Sequence, residues 1–393
     1  MMKRAVSVLL SAALMLSVLT GCGKSGSVSK KNIPGEETAE STKIALSDSG
    51  ITVDGAAISD DETTAVYAAQ DIVYYEEGQG VAYGAGTDAD AHSQEEADAH
   101  TVVHITQPGT YTLSGTLSAG QIAVDLGDGA EEDPEAVVTI VLDGVDITCT
   151  VAPAIIFYRV YECGSADMET ATQTVDTSAA GANVVIADGA ENRVTGSHVA
   201  KIYKPESVTL NADGTAVEEA KKLHKYDGAL YSKMSMNIGG ESEGDGVLNI
   251  TGENEGLDTE LHLTINGGNI HILARNDGIN TNEDGVSVTT INGGTLRIEV
   301  TGEAGEGDGI DSNGWLVING GTVIAAACSD SADSGLDSDN GIYINGGIVI
   351  ASGNMYDAVD GGNQTYAVFQ FAQKQSGGQT YTLKNGAGET VLK

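Results

Sequence analysis

The chain has 393 residues, a formal net charge of −38, 52 Gly, 5 Pro and only 5% aromatic residues. A surface this acidic repels nucleic acid and anionic lipid headgroups, so neither is expected as a direct partner. The composition indicates turns and small residues rather than bulky helical packing, and the length fits one repetitive all-β domain, expected to be a monomer.

The amino terminus predicts a lipoprotein signal. Lys3 and Arg4 precede an apolar run over residues 5–19, which ends in Leu19-Thr20-Gly21-Cys22. This run is too short for an ordinary membrane span, and the small residues before the cysteine are typical of a cleavage site. We therefore expect a signal peptide over residues 1–21 and a lipid on Cys22. That lipid, the only expected membrane contact, would anchor an extracellular protein to the outer face of the cytoplasmic membrane.

Residues 22–43 are rich in Ser, Gly, Lys, Glu and Thr and are predicted to form a flexible tether. The folded domain is then expected over residues 44–393. Outside the cell Cys149 and Cys163 are close enough in sequence to form a disulfide, although spacing alone does not decide it. Cys328 ends an apolar run and is expected to be a small buried hydrophobic residue.

An internal repeat gives the fold. Asn-Gly-Gly occurs at Asn266, Asn292, Asn319 and Asn345, at intervals of 26, 27 and 26 residues. A short alternating strand precedes and follows each copy, which is typical of one coil of a solenoid. We predict an all-β, right-handed parallel β-helix whose strongest repeats span residues 227–362, with a carboxy-terminal cap over 363–393. Glycine suits the tight corner, and the asparagines are expected to hydrogen-bond in a ladder.

A second, acidic motif recurs half a coil away. Its copies are Gly256-Leu257-Asp258, Gly278-Ile279-Asn280, Gly309-Ile310-Asp311, Gly335-Leu336-Asp337 and the degenerate Ala358-Val359-Asp360. From Asp258, Asp311 and Asp337 the next Asn-Gly-Gly asparagine is 8 residues away each time. This constant spacing predicts Asp-rich turns that stack on successive coils.

Stacked acidic turns predict a calcium site. Coils lie about 4.8 Å apart, and carboxylates at that spacing repel unless they are protonated or bridged. Calcium accepts six to eight oxygens from carboxylates, amides and carbonyls. We expect several calcium ions, with candidate ligands Asp258, Asp277, Asn280, Asp308, Asp311, Asp337, Asp339 and Asp360. The alternative is that these are solvated turn residues, since Asp, Asn and Gly are common in turns.

Candidate carbohydrate-binding residues lie on the predicted strands. Trp315 and Tyr343 are expected to face outward on neighbouring coils, where exposed rings suit a sugar, and Arg297 faces outward nearby. Trp315, the only tryptophan, has a structural alternative, namely covering the turn beneath it.

The coils of residues 255–362, with Asp-Gly-Ile-Asp-Ser-Asn and Ile-Asn-Gly-Gly-Thr, resemble the clostridial carbohydrate-binding β-helix proteins, a family similar in fold to pectate lyases. The segments Gly109 to Leu117, Val138 to Thr148 and Asp227 to Lys233 match the same pattern. The resemblance implies calcium-containing β-helices that bind cellulose-like and polygalacturonate polymers without demonstrated cleavage. Family turns often carry Lys where this chain has Asn280, Asp311 and Asp337, so a directly basic subsite for acidic sugars is not expected.

The sequence therefore favours a noncatalytic, calcium-binding carbohydrate-binding lipoprotein that recognises a plant-type polysaccharide. One alternative is a calcium-dependent, pectate-lyase-like polysaccharide lyase, for which Arg275 would be the candidate general base. A second alternative is a structural surface adhesin in which calcium only stabilises the solenoid.

Overall fold

The computed structural model describes residues 41–376 and 379–392. The predicted signal peptide, Cys22 and most of the predicted tether lie outside the described residues. A strand already begins at Thr42 and pairs in parallel with Gly109–Leu117. The boundary predicted for the tether, 22–43, is therefore wrong at its last two residues, which belong to the folded domain.

Three stacks of mainly parallel strands form the domain, and most coils contribute one strand to each stack, which confirms a β-helix-like, almost entirely β fold. The right hand of the helix stays a prediction. The first face contains Thr42–Leu46, the first halves of Gly109–Leu117 and Val138–Thr148, then Ala182–Ile186, Met236–Gly240, Leu263–Ile265, Val288–Ile291, Trp315–Ile318, Gly341–Ile344 and Val359–Gly362.

The second face follows the Asn-Gly-Gly corner. It contains the second halves of Gly109–Leu117 and Val138–Thr148, then Glu191–Gly196, Val247–Gly252, Asn269–Ala274, Thr295–Val300, Thr322–Ala326 and Ile348–Ser352. The third face contains Val66–Ala69, which is antiparallel, and then Thr101–Ile105, Gly120–Asp125, Ile155–Arg159, Gly228–Ser232, Glu255–Thr259, Ile279–Thr281 and Ile310–Ser312.

The core runs through the centre of the coils. The alternating residues predicted to point inward are buried, among them Leu263, Ile265, Ile270 and Ile272. In the next parallel coils, the corresponding side chains stack at the same register, such as Ile270 beside Leu296. Burial of each such side chain contributes on the order of 1.5–3 kcal/mol, and only stacked coils supply the neighbours that bury it.

The predicted asparagine ladder is present at the corner between the first and second faces. Asn292 donates through Nδ2 to Asn266 Oδ1, Asn319 to Asn292, and Asn345 to Asn319, each at 2.9 Å. The last glycine of the corner has positive φ, as at Gly294 with φ 81°, a conformation that glycine adopts without strain.

Two insertions cover two of the three faces. Segment 160–181 lies over the first face, where Thr177 Oγ1 bonds Asn237 Oδ1 and Thr264 Oγ1, each at 2.7 Å. The hairpin of Val199–Tyr203 and Lys222–Tyr226 lies over the third face, where the Tyr226 and Tyr231 rings are 5.1 Å apart. We name it the covering hairpin. On the second face, by contrast, His271 and Arg297 are exposed.

The remaining elements are short. They are the helix Gln94–Asp98, the 3-10 turns Ala130–Glu132 and Pro205–Ser207, the strands Thr52–Val53 and Ala56–Ala57, and the hairpins Thr209–Leu210 with Val217–Glu219 and Leu383–Lys384 with Thr390–Leu392. The cap over 363–393 stays a prediction, and residues 363–376 are exposed throughout. Cys149 and Cys163 are free thiols, and Cys328 is buried as expected.

Asn319→Ala tests the ladder. Asn319 is a central rung that both donates and accepts, so its loss removes two hydrogen bonds worth about 0.5–1.5 kcal/mol each. We expect urea unfolding to show a destabilisation of about 1–2 kcal/mol. Asn345→Ala, which removes only one rung-to-rung bond, is the matched control and should cost about half as much. Equal destabilisation by the two substitutions would contradict a ladder in which each bond between asparagines contributes to stability.

Candidate functional site

Three copies of the acidic motif form strands, in Glu255–Thr259, Ile279–Thr281 and Ile310–Ser312, and not the turns predicted from composition, whereas residues 335–339 lie outside any strand. Leu257 and Thr259 of Glu255–Thr259 are fully buried, and both neighbouring strands pair with this one in parallel. The motif glycine is required because a Cβ at Gly278 would overlap Ile298 Cγ2 and lie 2.6 Å from Gly309 O. The composition suggested turns because Gly, Asp and Asn are common in turns.

The predicted stacking of the acids is nevertheless correct. Along the third face, Tyr231, Asp258, Asn280 and Asp311 occupy equivalent positions on successive strands. Asp337 continues this row, because its amide donates to Ile310 O at 2.8 Å. We name these residues the outer row.

A second acidic row lies three residues earlier in each strand. The amide of Asp308 donates to Asp277 Oδ1 at 2.7 Å, so these carboxylates are on neighbouring coils. Glu255 joins the outer row to this one, since Asn280 Nδ2 donates to Glu255 Oε1 at 3.2 Å. We name Glu255, Asp277 and Asp308 the inner row. Glu255 was missing from the predicted ligands, although an acid precedes the motif glycine in three of its four copies, at Glu255, Asp277 and Asp308.

At one end of the rows, charged groups are buried under the covering hairpin. Asp227, Glu255 and Asp258 are 7%, 3% and 0% exposed. Lys225 lies beside them, with Nζ 2.9 Å from Asp227 Oδ2. One ammonium cannot balance three ionised carboxylates, so the group keeps two unbalanced negative charges if all four are ionised.

Burial raises the pKa of Glu255 and of Asp258 well above the usual range, and the neighbouring acids Asp227, Asp258 and Glu260 add to the effect. Burial also opposes the charge on Lys225, but Asp227 and Glu255 outweigh it and raise its pKa. Burial and the neighbouring acids disfavour the ionised form of Glu255 and Asp258, and a bound cation would favour that form.

Three buried oxygens in this cluster have no hydrogen-bond partner: Glu255 Oε2, Asp258 Oδ2 and Asn280 Oδ1. An unpartnered buried polar atom costs about 1–3 kcal/mol, and more when charged. Two carboxylate oxygens and one amide oxygen are the donors that calcium prefers, so the residues fit a calcium ion. Within the described chain no three His, Cys, Asp or Glu side chains stand as a preformed metal group; here the third oxygen belongs to an amide.

Further along, the rows are less covered. Burial, with nearby Asp311 and Asp308, raises the pKa of Asp277 to about 8. The pKa of Asp308 rises to about 7 and that of Asp311 to about 6, in both cases through burial first and neighbouring aspartates such as Asp337 second.

Two other predicted ligands have different outcomes. Asp339 lies near Asp311, because its amide donates to Ser312 O at 3.1 Å. The prediction that Asp360 stacks with the other acids of the motif is wrong. Val359–Gly362 pairs with Gly341–Ile344 on the first face, and Asp360 Oδ2 accepts from the Ile342 amide at 3.0 Å. Ala358 stands where the other copies have glycine, and at one of those glycines, Gly309, a Cβ would lie 2.4 Å from Gly335 O.

The three predicted carbohydrate-binding residues do not form one surface. Trp315 and Tyr343 are half-buried on the first face, on adjacent strands. Arg297 lies around the corner on the second face.

The second face presents a straight polar row. Arg193, Asn249, His271 and Arg297 are equivalent residues on four successive strands. His271 Nδ1 is 3.2 Å from Asn249 Oδ1. Among the ion pairs of the described chain, none involves Arg297, so its guanidinium remains available to a ligand. We name this set the basic row.

Arg275, the candidate lyase base, is held by acids. Its guanidinium pairs with Glu303 at 3.1 Å and Glu253 at 3.6 Å. Both pairs stabilise the charged form, which cannot accept a proton. This arrangement argues against a role as general base.

No helix in the described chain is long and apolar enough to cross a membrane.

Comparison with known proteins gives the relationship of the chain. A protein of Acetivibrio thermocellus described as "Carbohydrate-binding domain-containing protein" is 32% identical over 173 residues, or 44% of this chain and 45% of that protein. The chain therefore matches less than half of that relative. A solved structure titled as a polysaccharide lyase-like protein from C. thermocellum, in a gadolinium derivative, aligns at 21% identity and a TM-score of 0.43, covering 82% of this chain and 100% of that one. The sequence model of the family described as "Carbohydrate-binding domain-containing protein" matches residues 99–380, and the chain belongs to this family.

Proposed function

We propose that this protein is a noncatalytic cell-surface lipoprotein that binds calcium in its acidic rows and holds a polysaccharide on the second face. The open second face is the observation that carries the proposal, because insertions cover much of the other two. Family membership supplies the ligand class, a carbohydrate. The lipid anchor is proposed from the sequence around Cys22.

The shape of the second face suits an extended polymer. Strands about 4.8 Å apart place the side chains of the basic row at regular intervals on a flat surface. Asp146, Glu191 and Glu299 lie on the same face as Arg193 and Arg297, so acids exceed arginines there by one. In a chain of net charge −38, a face with so small an excess of negative charge repels an acidic polymer less than the acidic rows do, and it leaves donors for sugar hydroxyls.

Calcium has a separate role in this proposal. The cluster of Glu255, Asp258 and Asn280 is buried, so an ion there would stabilise the coils without touching a polymer. Asp311, Asp337 and Asp339 are more accessible, and an ion there has room for an outside ligand. Sugar carboxylates of polygalacturonate could complete its coordination shell.

Substitutions in the basic row test whether the second face binds a polysaccharide. The double variant His271→Ala, Arg297→Ala should lose at least tenfold in affinity for the polymer that the wild type retains, tested on insoluble cellulose and on calcium-pectate gel. The loss is expected because two neighbouring donors of the basic row disappear. Thr209→Ala on a distant hairpin is the control and should bind as the wild type. Retention of the wild type on neither polymer would favour the adhesin alternative.

Catalysis is tested on the same preparation. Polygalacturonate incubated with protein and calcium should yield no unsaturated uronate, and Arg275→Ala should leave binding unchanged. If an unsaturated product forms and disappears with Arg275→Ala, the protein is a lyase and the noncatalytic proposal is overturned.

Glu255→Gln should have opposite effects with and without calcium. In EDTA the variant is expected to melt at a higher temperature, because the wild type must bury a carboxyl group whose ionisation burial disfavours. In calcium it should gain less stability than the wild type, and calorimetric titration should show at least tenfold weaker binding at the tightest site. Glu299→Gln, on the second face, is the matched control. A variant that binds calcium like the wild type would remove Glu255 from the ligand set.

The raised pKa values of Asp277, Asp308 and Asp311, about 8, 7 and 6, predict a pH effect. The folded state holds protons that the unfolded state releases near pH 4, so this stabilisation is lost as pH rises towards 8. In EDTA the melting temperature should fall by several degrees between pH 5 and 8, and calcium should abolish the fall. Asp277→Asn should remove the largest part of it; a melting temperature independent of pH in EDTA would contradict the prediction.

A further inference from the structure

A cavity of about 290 Å³ lies away from both the acidic rows and the second face. Its walls come from residues 72–76, from Tyr83, and from the two strands of the covering hairpin through Ile202, Leu223 and His224. The solenoid repeat contributes none of these side chains, because all of them lie on insertions.

The cavity is held by backbone hydrogen bonds. The amide of Tyr203 donates to Tyr83 O, and the amide of Ala85 donates to Lys201 O, each at 2.8 Å. Residues 83–85 thus form a single antiparallel bridge beside Ile202 of the covering hairpin. Gly84 permits this contact, since a Cβ there would overlap Lys201 O and lie 2.8 Å from the Tyr75 ring. A cavity built in this way is preformed.

Its walls combine apolar and polar groups. Ile72 and Ile202 are buried, whereas Leu223 is 51% exposed at the rim. Tyr83 is half-buried, and its hydroxyl lies 3.4 Å from the carbonyl of Tyr74. Glu76 presents an exposed carboxylate from the opposite wall.

His224 carries the polar atom that lacks a partner. Its Nε2 is buried and makes no hydrogen bond, while the ring stacks on Tyr226 at 4.5 Å. Burial lowers the pKa of His224 to about 4, so the imidazole is neutral at pH 7. The His224 ring therefore lines the cavity as an uncharged group, and a ligand in the cavity lies beside it.

We propose that this cavity is a second binding site, which takes one uncharged sugar ring. The volume is at the lower end of small-ligand pockets, which suits a single ring. Ile202, Leu223 and the tyrosines would contact the apolar face of the ring, while the exposed carboxylate of Glu76 would bond its hydroxyls. The carboxylate of Glu76 disfavours a uronate. The choice of a sugar rests on the proposed function, and the site itself rests on the cavity.

The test is NMR of the full-length protein with ¹⁵N-labelled histidine, titrated with cellobiose and with digalacturonate. His224→Gln assigns the resonance. We expect cellobiose to shift the His224 Nε2 signal, and digalacturonate to bind at least tenfold more weakly. Absence of any shift at saturating cellobiose, or an equal response to digalacturonate, overturns the proposal.

Variants separate this site from the second face. Leu223→Asp should weaken cellobiose binding at least tenfold, whereas Leu210→Asp, at an exposed position farther along the same insertion, should not. The double variant of His271 and Arg297 decides between the sites. If it abolishes the His224 shift and Leu223→Asp does not, the disaccharide binds the second face and the cavity proposal fails. If polymer retention fails but the shift persists, the second-face proposal fails and the cavity site stands.

Discussion

Backbone hydrogen bonds between coils hold the carboxylates of the third face about 4.8 Å apart, and the rest of the structure accommodates that repulsion. The chain does so in two ways. At the covered end it supplies an ammonium group, Lys225, next to Asp227. Beyond this end, backbone amides donate to the acids, as from Asp308 to Asp277 and from Ser334 to Asp308. Neither device neutralises Glu255 and Asp258, whose unpartnered oxygens are the strongest reason to propose a bound cation.

The same geometry explains why the two proposed roles lie on different faces. Cation ligands must converge, which requires acids on strands that are buried or partly covered. A polymer needs a long, flat and accessible surface, which only the second face retains. The turn from the second face to the third, such as residues 275–278, separates the two requirements because it directs the chain onto a new face.

Prediction from the sequence succeeded where the repeat determines the geometry. The interval between Asn292 and Asn319 is one coil, so their pairing and the inward position of Leu316 follow from spacing alone. It failed at residues 358–360, whose sequence resembles the acidic motif although Val359–Gly362 pairs with the first face. The covering hairpin has no repeat, and its position depends on contacts such as that between Tyr226 and Tyr231, which no periodicity encodes. Glu255 was not predicted as a candidate ligand for a related reason, since its burial depends on that hairpin.

The difference in cover along the acidic rows bears on how calcium could influence polysaccharide binding. An ion held by Glu255, Asp258 and Asn280 has no path to a polymer, because these residues are 6% exposed or less. Its effect would be on the coils, whose stacking also positions His271 and Arg297. An ion near Asp337 and Asp339 would instead lie where an outside carboxylate has access. Calcium dependence of binding to a neutral glucan would therefore reflect the scaffold, whereas additional dependence seen only with a uronate polymer would reflect direct bridging.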